Sequence, residues 1–150
     1  VDSEDLETQD VDREVDGVVY RLRPMPFGVG RRALMRLVKI VSPVLSSAFK
    51  AGEGDKLAMI ARALDALPSA LSDEDLAFFA KEFGNCSWYQ DGDKWVPLLV
   101  ARQETHFAGR YLAFAQWLAE NIKLNFGPFF SGVMSGKLAL APGMPTPPTG

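Results

Sequence analysis

Residues 107–130, FAGRYLAFAQWLAENIKLNFGPFF, are apolar around most of a helical circumference. No other segment limits the fold so strongly. A helix on the surface of a globular domain needs an apolar stripe only about 100° wide. At helical spacing Phe107, Tyr111, Phe114, Leu118 and Ile122 share one side, flanked by Leu112, Ala115, Ala119 and Phe126, while Gln116, Glu120 and Lys123 form the polar side. Trp117 and Leu124 fall at the edge of that polar stripe and predict a second apolar surface. The segment runs out in an aromatic plug, Phe126-Gly-Pro-Phe129-Phe130. One face is expected to build the core and the other to take a partner.

A chain of 150 residues supports one well-buried core and is short for two. No apolar run reaches the roughly 18 residues needed to span a bilayer, since Arg110, Gln116, Glu120 and Lys123 interrupt the best candidate. Cys86 is the one cysteine, so no disulfide can form within the chain, and a reducing compartment is the expected home.

The net charge of −3 conceals a partition. Residues 1–16 carry Asp2, Glu4, Asp5, Glu7, Asp10, Asp12, Glu14 and Asp16 against Arg13 alone. Residues 17–50 carry Arg21, Arg23, Arg31, Arg32, Arg36, Lys39 and Lys50 and no acid. An acidic arm over residues 1–14 is expected to be disordered, and Arg32, Arg36 and Lys39 to share one helix face. The simplest reading is a solvated tail beside a solvated helix. The alternatives are a basic face shielded by the arm or bound by a protein, and a nucleic-acid site. The last is disfavoured because a dedicated phosphate binder is usually basic overall.

Val15–Leu22 is rich in β-branched residues around Asp16-Gly17, which predicts a short strand or hairpin ended by Pro24 and Pro26. A helix is expected over 29–49, kinked or split by Pro43 near Val41–Ser42. A second helix is expected over 55–66. A third begins at Ser72, where Ser72-Asp-Glu-Asp75 forms a capping box with Asp in place of Glu. Asp91-Gly92 predicts a type I′ hairpin that sets Trp88 opposite Trp95. Residues 141–150, with four prolines, read as a disordered tail. The expected fold is mainly α: one helical domain over 15–140 with a small β-hairpin or short antiparallel sheet.

The chemical inventory is thin. One histidine, His106, and one cysteine exclude a Cys/His metal site, and the carboxylates have no ligand spacing. Nucleophilic catalysis would have to use His106, which stands at the start of an apolar helix. Gly28-Val-Gly30-Arg-Arg-Ala33 matches a loose dinucleotide fingerprint but lacks the strand–turn–helix setting and the later acid. Gly132-Val-Met-Ser-Gly-Lys137 is one residue short of a phosphate loop. No catalytic, cofactor or metal site is expected, and the chain does not read as an enzyme.

Taken in order, several segments resemble one family. They are Tyr20-Arg-Leu22, the helix Arg31-Arg-Ala-Leu-Met-Arg-Leu-Val-Lys-Ile-Val-Ser-Pro-Val-Leu45, Leu67-Pro68, Trp95-Val-Pro97, and Asn121-Ile-Lys-Leu-Asn-Phe-Gly-Pro-Phe-Phe130. Over roughly residues 18–132 the layout resembles the tail assembly chaperones of tailed bacteriophages and prophages. The acidic arm and proline tail have no counterpart in that pattern. The resemblance implies a helical, non-enzymatic protein of the host bacterial cytoplasm. Its implied partners are the tape-measure protein and tail-tube subunits, with self-association as a further expectation. Membrane is not among the implied partners. The candidate contact residues are Trp117, Leu124, Phe126, Phe129, Phe130, Arg32, Arg36 and Lys39. A structural tail component retained in the particle, or a small nucleic-acid-binding regulator using the basic helix, are the alternatives.

Overall fold

The computed structural model describes residues 9–51, 58, 62 and 67–134. Two hairpins remote in sequence join into one antiparallel sheet. β1 (Val11–Val15) and β2 (Val18–Leu22) make the first, β3 (Ser87–Asp91) and β4 (Lys94–Pro97) the second, in the order β1-β2-β3-β4. Among the described residues the helices that accompany them are α1 (Phe27–Ala51), α2 (Asp73–Gly84), α3 (Val100–His106) and α4 (Tyr111–Met134), and residues 58, 62 and 67–70 are also helical. The expectation of a mainly α domain is thereby corrected. The fold is helix-rich, but a four-stranded sheet is one of its layers.

The correction has a local cause. Val11–Val15, VDREV, carries too much charge to read as a strand, yet it pairs along its whole length with β2 from Val11↔Leu22 to Val15↔Val18. Asp12 accepts two hydrogen bonds from Arg21, at 2.9 and 3.1 Å. Asp10 accepts two from Arg23, at 2.8 and 3.0 Å. The second half of the expected disordered arm is therefore an edge strand, and residues 1–8 lie outside the described residues. Asp16 and Gly17 both take positive φ, 51° and 78°, as a type I′ turn requires.

The second hairpin turns one residue later than expected. Asp91 pairs with Lys94, so Gly92 and Asp93 form the loop, and only Gly92 takes a positive φ, 64°. A turn of the II′ kind needs that conformation at its first position alone, so no side-chain-bearing residue is forced into it. Trp88 then faces Pro97 and Trp95 faces Gln90. The two indoles sit diagonally, and each meets an arginine from β2 or its end: Arg21 lies 4.1 Å from the Trp95 ring centre and Arg23 4.8 Å from that of Trp88.

α1 continues through Pro43 as one helix where the sequence predicts a kink or split. Pro43 and Lys39 are both exposed, so the carbonyl that loses its donor faces water rather than the core. The Ser42 hydroxyl donates to Val38 O at 2.6 Å. α2 begins as its sequence predicts: Ser72 Oγ accepts from the Asp75 amide at 3.1 Å and donates to the Asp75 carboxylate at 3.0 Å. Most of the helix expected over 55–66 falls outside the described residues, as does the proline tail.

The expected final helix is two elements. Phe107 closes α3, Gly109 takes φ 72°, and α4 starts at Tyr111. This break sets the phase of α4. Trp117, Leu118, Asn121, Ile122, Phe126, Phe130 and Val133 are buried, while Tyr111 and Leu112 are 80% and 72% exposed. The core is shared by α4, by Tyr20 and Leu22 of β2, by Leu37 of α1, and by Phe79 and Phe83 of α2. Each such side chain contributes about 1.5–3 kcal/mol through burial.

A clamp at the end of α2 fixes how the second hairpin enters α3. Gln103 Nε2 donates to Ala80 O and Leu98 O, both at 2.9 Å. A Cβ on Gly84 would lie 2.5 Å from Leu98 O and closer still to Gln103 Nε2. Gly84→Ala should therefore cost about 1–3 kcal/mol, the usual range for overpacking. A urea midpoint unchanged from the parent would contradict this placement of α3.

Candidate interaction surfaces

The residues expected to form a partner surface on α4 do not do so together. Trp117 is fully buried, with its ring 6.5 Å from Phe83, 5.5 Å from Phe107 and 6.0 Å from Phe114. The reason is that α2 and the α3–α4 turn cover the flank of α4 that the isolated helix leaves bare. Leu124 is partly buried against the same core. The aromatic plug is a stretch of α4 itself, with Phe126 and Phe130 in the core and Phe129 packed on it. Of the basic trio, Arg36 is engaged inside the fold: it donates to Asp75 at 2.9 Å and lies 4.2 Å from the Phe78 ring centre. Arg32 and Lys39 remain on the surface.

Asn121 and Asn125 carry a role that apolar periodicity could not reveal. Asn125 Oδ1 accepts the Met25 amide at 2.8 Å, and its Nδ2 donates to Asn121 O at 2.9 Å. Asn121 is fully buried. Its Nδ2 donates to Trp117 O at 2.9 Å, and its Oδ1 lies 3.4 Å from the Ser87 hydroxyl. These two amides register α4 against the start of β3 and the approach to α1. Their spacing of four in an apolar helix was the available signal.

Apolar surface is exposed elsewhere. A groove of about 510 Å³ runs between α2, α3 and the first turns of α4, lined among others by Leu76, Ala80, Val100, Phe107, Tyr111 and Phe114. Val100 is 45% exposed and Tyr111 is the most open large side chain on its rim. Leu99 and Leu112 extend the exposed apolar area nearby. Glu104 is the charged residue of the lining. The site is therefore apolar in its floor and acidic at one point of its edge.

The outer face of the sheet is different in kind. Asp10, Asp12, Arg21, Arg23, Trp88 and Trp95 line a shallow depression of about 660 Å³. Every arginine in it already holds a carboxylate and covers an indole. Hydrogen bonding to Arg21 holds the Asp12 carboxyl below its ordinary value against the opposing effect of burial. The depression is a self-satisfied ladder that braces the sheet.

His106 lies under the sheet rather than in an open cleft. The Tyr20 hydroxyl is 2.7 Å from His106 Nε2, and the imidazole stacks on Tyr89 at 4.1 Å. Burial, with Arg110 and Arg102 nearby, lowers its pKa from the ordinary 6.5, while burial raises that of Tyr20. Neutral imidazole and protonated phenol suit a Tyr20-to-His106 hydrogen bond. Cys86 is buried, and burial pushes its thiol pKa up. Among the described residues no group of three or more His, Cys, Asp or Glu could hold a metal, and no helix is long and apolar enough to cross a membrane.

The lowered His106 pKa gives stability a direction with pH. The unfolded chain binds this proton more readily than the folded one, so the unfolded state carries more protons in the window below pH 6.5. Stability from this site is fully present above that value and is lost as pH falls through the lower folded pKa. His106→Gln should flatten the slope of unfolding free energy between about pH 5 and 7. An equal slope in the variant would show that other groups cause it.

The described residues form a helix-rich α+β domain with a self-braced sheet, an exposed apolar groove and a cationic helix face. The family model described as phage tail assembly chaperone protein, TAC, matches residues 16–136. The chain belongs to that family. No curated protein and no solved structure gave a significant match.

Proposed function

We propose that this protein binds the tape-measure protein and helps recruit tail-tube subunits around it during tail morphogenesis, in the host bacterial cytoplasm and without catalysing a reaction. Family membership over most of the chain carries the reading. The apolar groove between α2, α3 and α4 supplies the means. A groove lined by Leu76, Ala80, Val100, Tyr111 and Phe114 fits the apolar stripe of an amphipathic helix, the usual mode of helix-in-groove recognition. Its exposed rim suits a client that must be held and later released, because area left open to water in the free protein is buried only in the complex.

Val100 and Tyr111 are exposed, so charge there should leave the fold intact. Val100→Glu with Tyr111→Glu should weaken co-purification with the tape-measure protein by about tenfold or more, roughly 1.4 kcal/mol. The thermal midpoint should stay near that of the parent. Full retention of the client by a folded double variant would remove the groove from the interaction. Finding the protein in stoichiometric amount in purified particles would favour a structural tail component instead.

A further inference from the structure

α1 and the groove are complementary in kind. Phe27, Arg31, Met35 and Lys39 recur every fourth residue, so apolar and cationic side chains alternate up one side of α1, with Arg32 beside them. All are exposed, Phe27 by 83% and Met35 by 52%. From Phe27 to Lys39 this ladder is about 18 Å long at 1.5 Å per helical residue. Among the described residues Arg31, Arg32 and Lys39 make no ion pair within the chain, whereas Arg36 is held by Asp75. The groove between α2, α3 and α4 has the matching character: an apolar floor, exposed rims at Val100 and Tyr111, and Glu104 as the charged residue of its lining. Asp73 is exposed one turn before Ala77 on the same side of α2 and adds a second carboxylate near its end.

One copy cannot bring the two surfaces together. Arg36 meets both Asp75 and Phe78, which fixes the sides of α1 and α2 that face each other. Met35, inside the ladder, lies about 100° round α1 from Arg36, and Ala77 and Ala80 lie on the side of α2 turned away from Asp75. Like against like fails on charge. Two ladders face to face would set the cations of one against those of the other, and two grooves would leave both Glu104 carboxylates without a base, since none lines the groove among the described residues. Unlike surfaces match in both charge and apolarity.

We infer that, without client, α1 of one copy seats in the groove of a second copy, with Phe27 and Met35 on the apolar floor and Arg31, Arg32 and Lys39 toward Glu104 and Asp73. A contact between unlike surfaces repeats along a row of copies or closes reciprocally in a pair. The apolar anchors supply the affinity, and the charges at the rim set the orientation. The consequence for the client rests on the reading that the groove takes the tape-measure protein. A second copy occupies the groove until the client displaces it, so the apolar surface is covered before and after the exchange.

Sedimentation of the full chain between about 1 and 300 µM tests it, a range that brackets weak and moderate self-contacts. The weight-average sedimentation coefficient should rise with concentration. Arg31→Glu with Met35→Glu and Lys39→Glu should stay monomeric, as should Val100→Glu with Tyr111→Glu. All these side chains are exposed, so both variants should keep the parental thermal midpoint. Mixed in equal amounts, the two variants should associate one to one, because each keeps the surface the other has lost. A parent that stays monomeric, a variant that associates like the parent, or a mixture of folded variants that stays monomeric overturns the inference. A monomeric parent that binds duplex DNA, with the α1 variant losing it, would overturn it in favour of phosphate as the occupant of α1. A second measurement dispenses with the charged variants. Gly28 is exposed with open space at its Cβ, and Cys86 is buried with its thiol pKa raised, so a nitroxide at Gly28→Cys labels α1 alone. It should broaden amides of residues 76–80 and 100–111 in a separate isotope-labelled copy, whereas no broadening, or broadening confined to α1 of that copy, overturns the inference. Client binding is scored apart: if the self-contact behaves as described but Val100→Glu with Tyr111→Glu still retains the tape-measure protein, the self-contact stands and the groove is not the client's site.

Discussion

β2 and β3 come together across the whole of α1 and α2, through the register pairs Tyr20↔Tyr89, Arg21↔Trp88 and Leu22↔Ser87. Each hairpin alone would be marginal in water, and joined they make a sheet with two usable faces. On the inner face the pairing carries Tyr20 to His106 and Phe107, and through Phe107 to Trp117 on α4. On the outer face it brings Arg21 and Arg23 over the two indoles of the second hairpin. The position of α3, and hence of the groove, follows from where that second hairpin is held. The closing entropy of so long a loop is offset only when both faces are satisfied at once.

Charge that looks segregated along the chain is partly neutralised in space. Asp10 and Asp12 cross to Arg23 and Arg21, and Asp75 crosses to Arg36. These pairs are half-exposed and each adds little stability alone. Their effect is on placement: they hold an otherwise polar edge strand in register and fasten the start of α2 to α1. What they leave over is a cationic stripe on α1 and an apolar groove on the opposite chemistry. Two surfaces of different character suit a chaperone in this family better than one broad apolar patch, which would invite non-specific association.

Several elements were legible because their cause is local. The Asp16-Gly17 turn, the Ser72 cap and the β-branched run of β2 each depend on a few adjacent residues, and each stands where the sequence puts it. The ordered sequence from Tyr20 to Phe130 also pointed to the tail assembly chaperone family. The candidate contact residues were less legible. Trp117, Phe126 and Phe130 are large apolar residues on a helix whose burial depends on what packs beside it. Periodicity counts the faces of a helix but does not say which of them a neighbour covers.

The sequence by itself determined the Asp16-Gly17 turn, the capping of α2 and the absence of acids from residue 17 to residue 50, because φ preference, capping and composition act over a few residues. The tertiary structure decided the rest. It turned the charged segment Val11–Val15 into a strand, because Arg21 and Arg23 stand across from Asp12 and Asp10. It moved the second turn to Gly92-Asp93, which gave each indole an arginine. It broke the last helix at Gly109, and that break rotated α4 until Trp117 and Asn121 faced inward and Tyr111 faced water. Each outcome depends on contacts between segments far apart in the chain, whose energies a one-dimensional pattern does not contain.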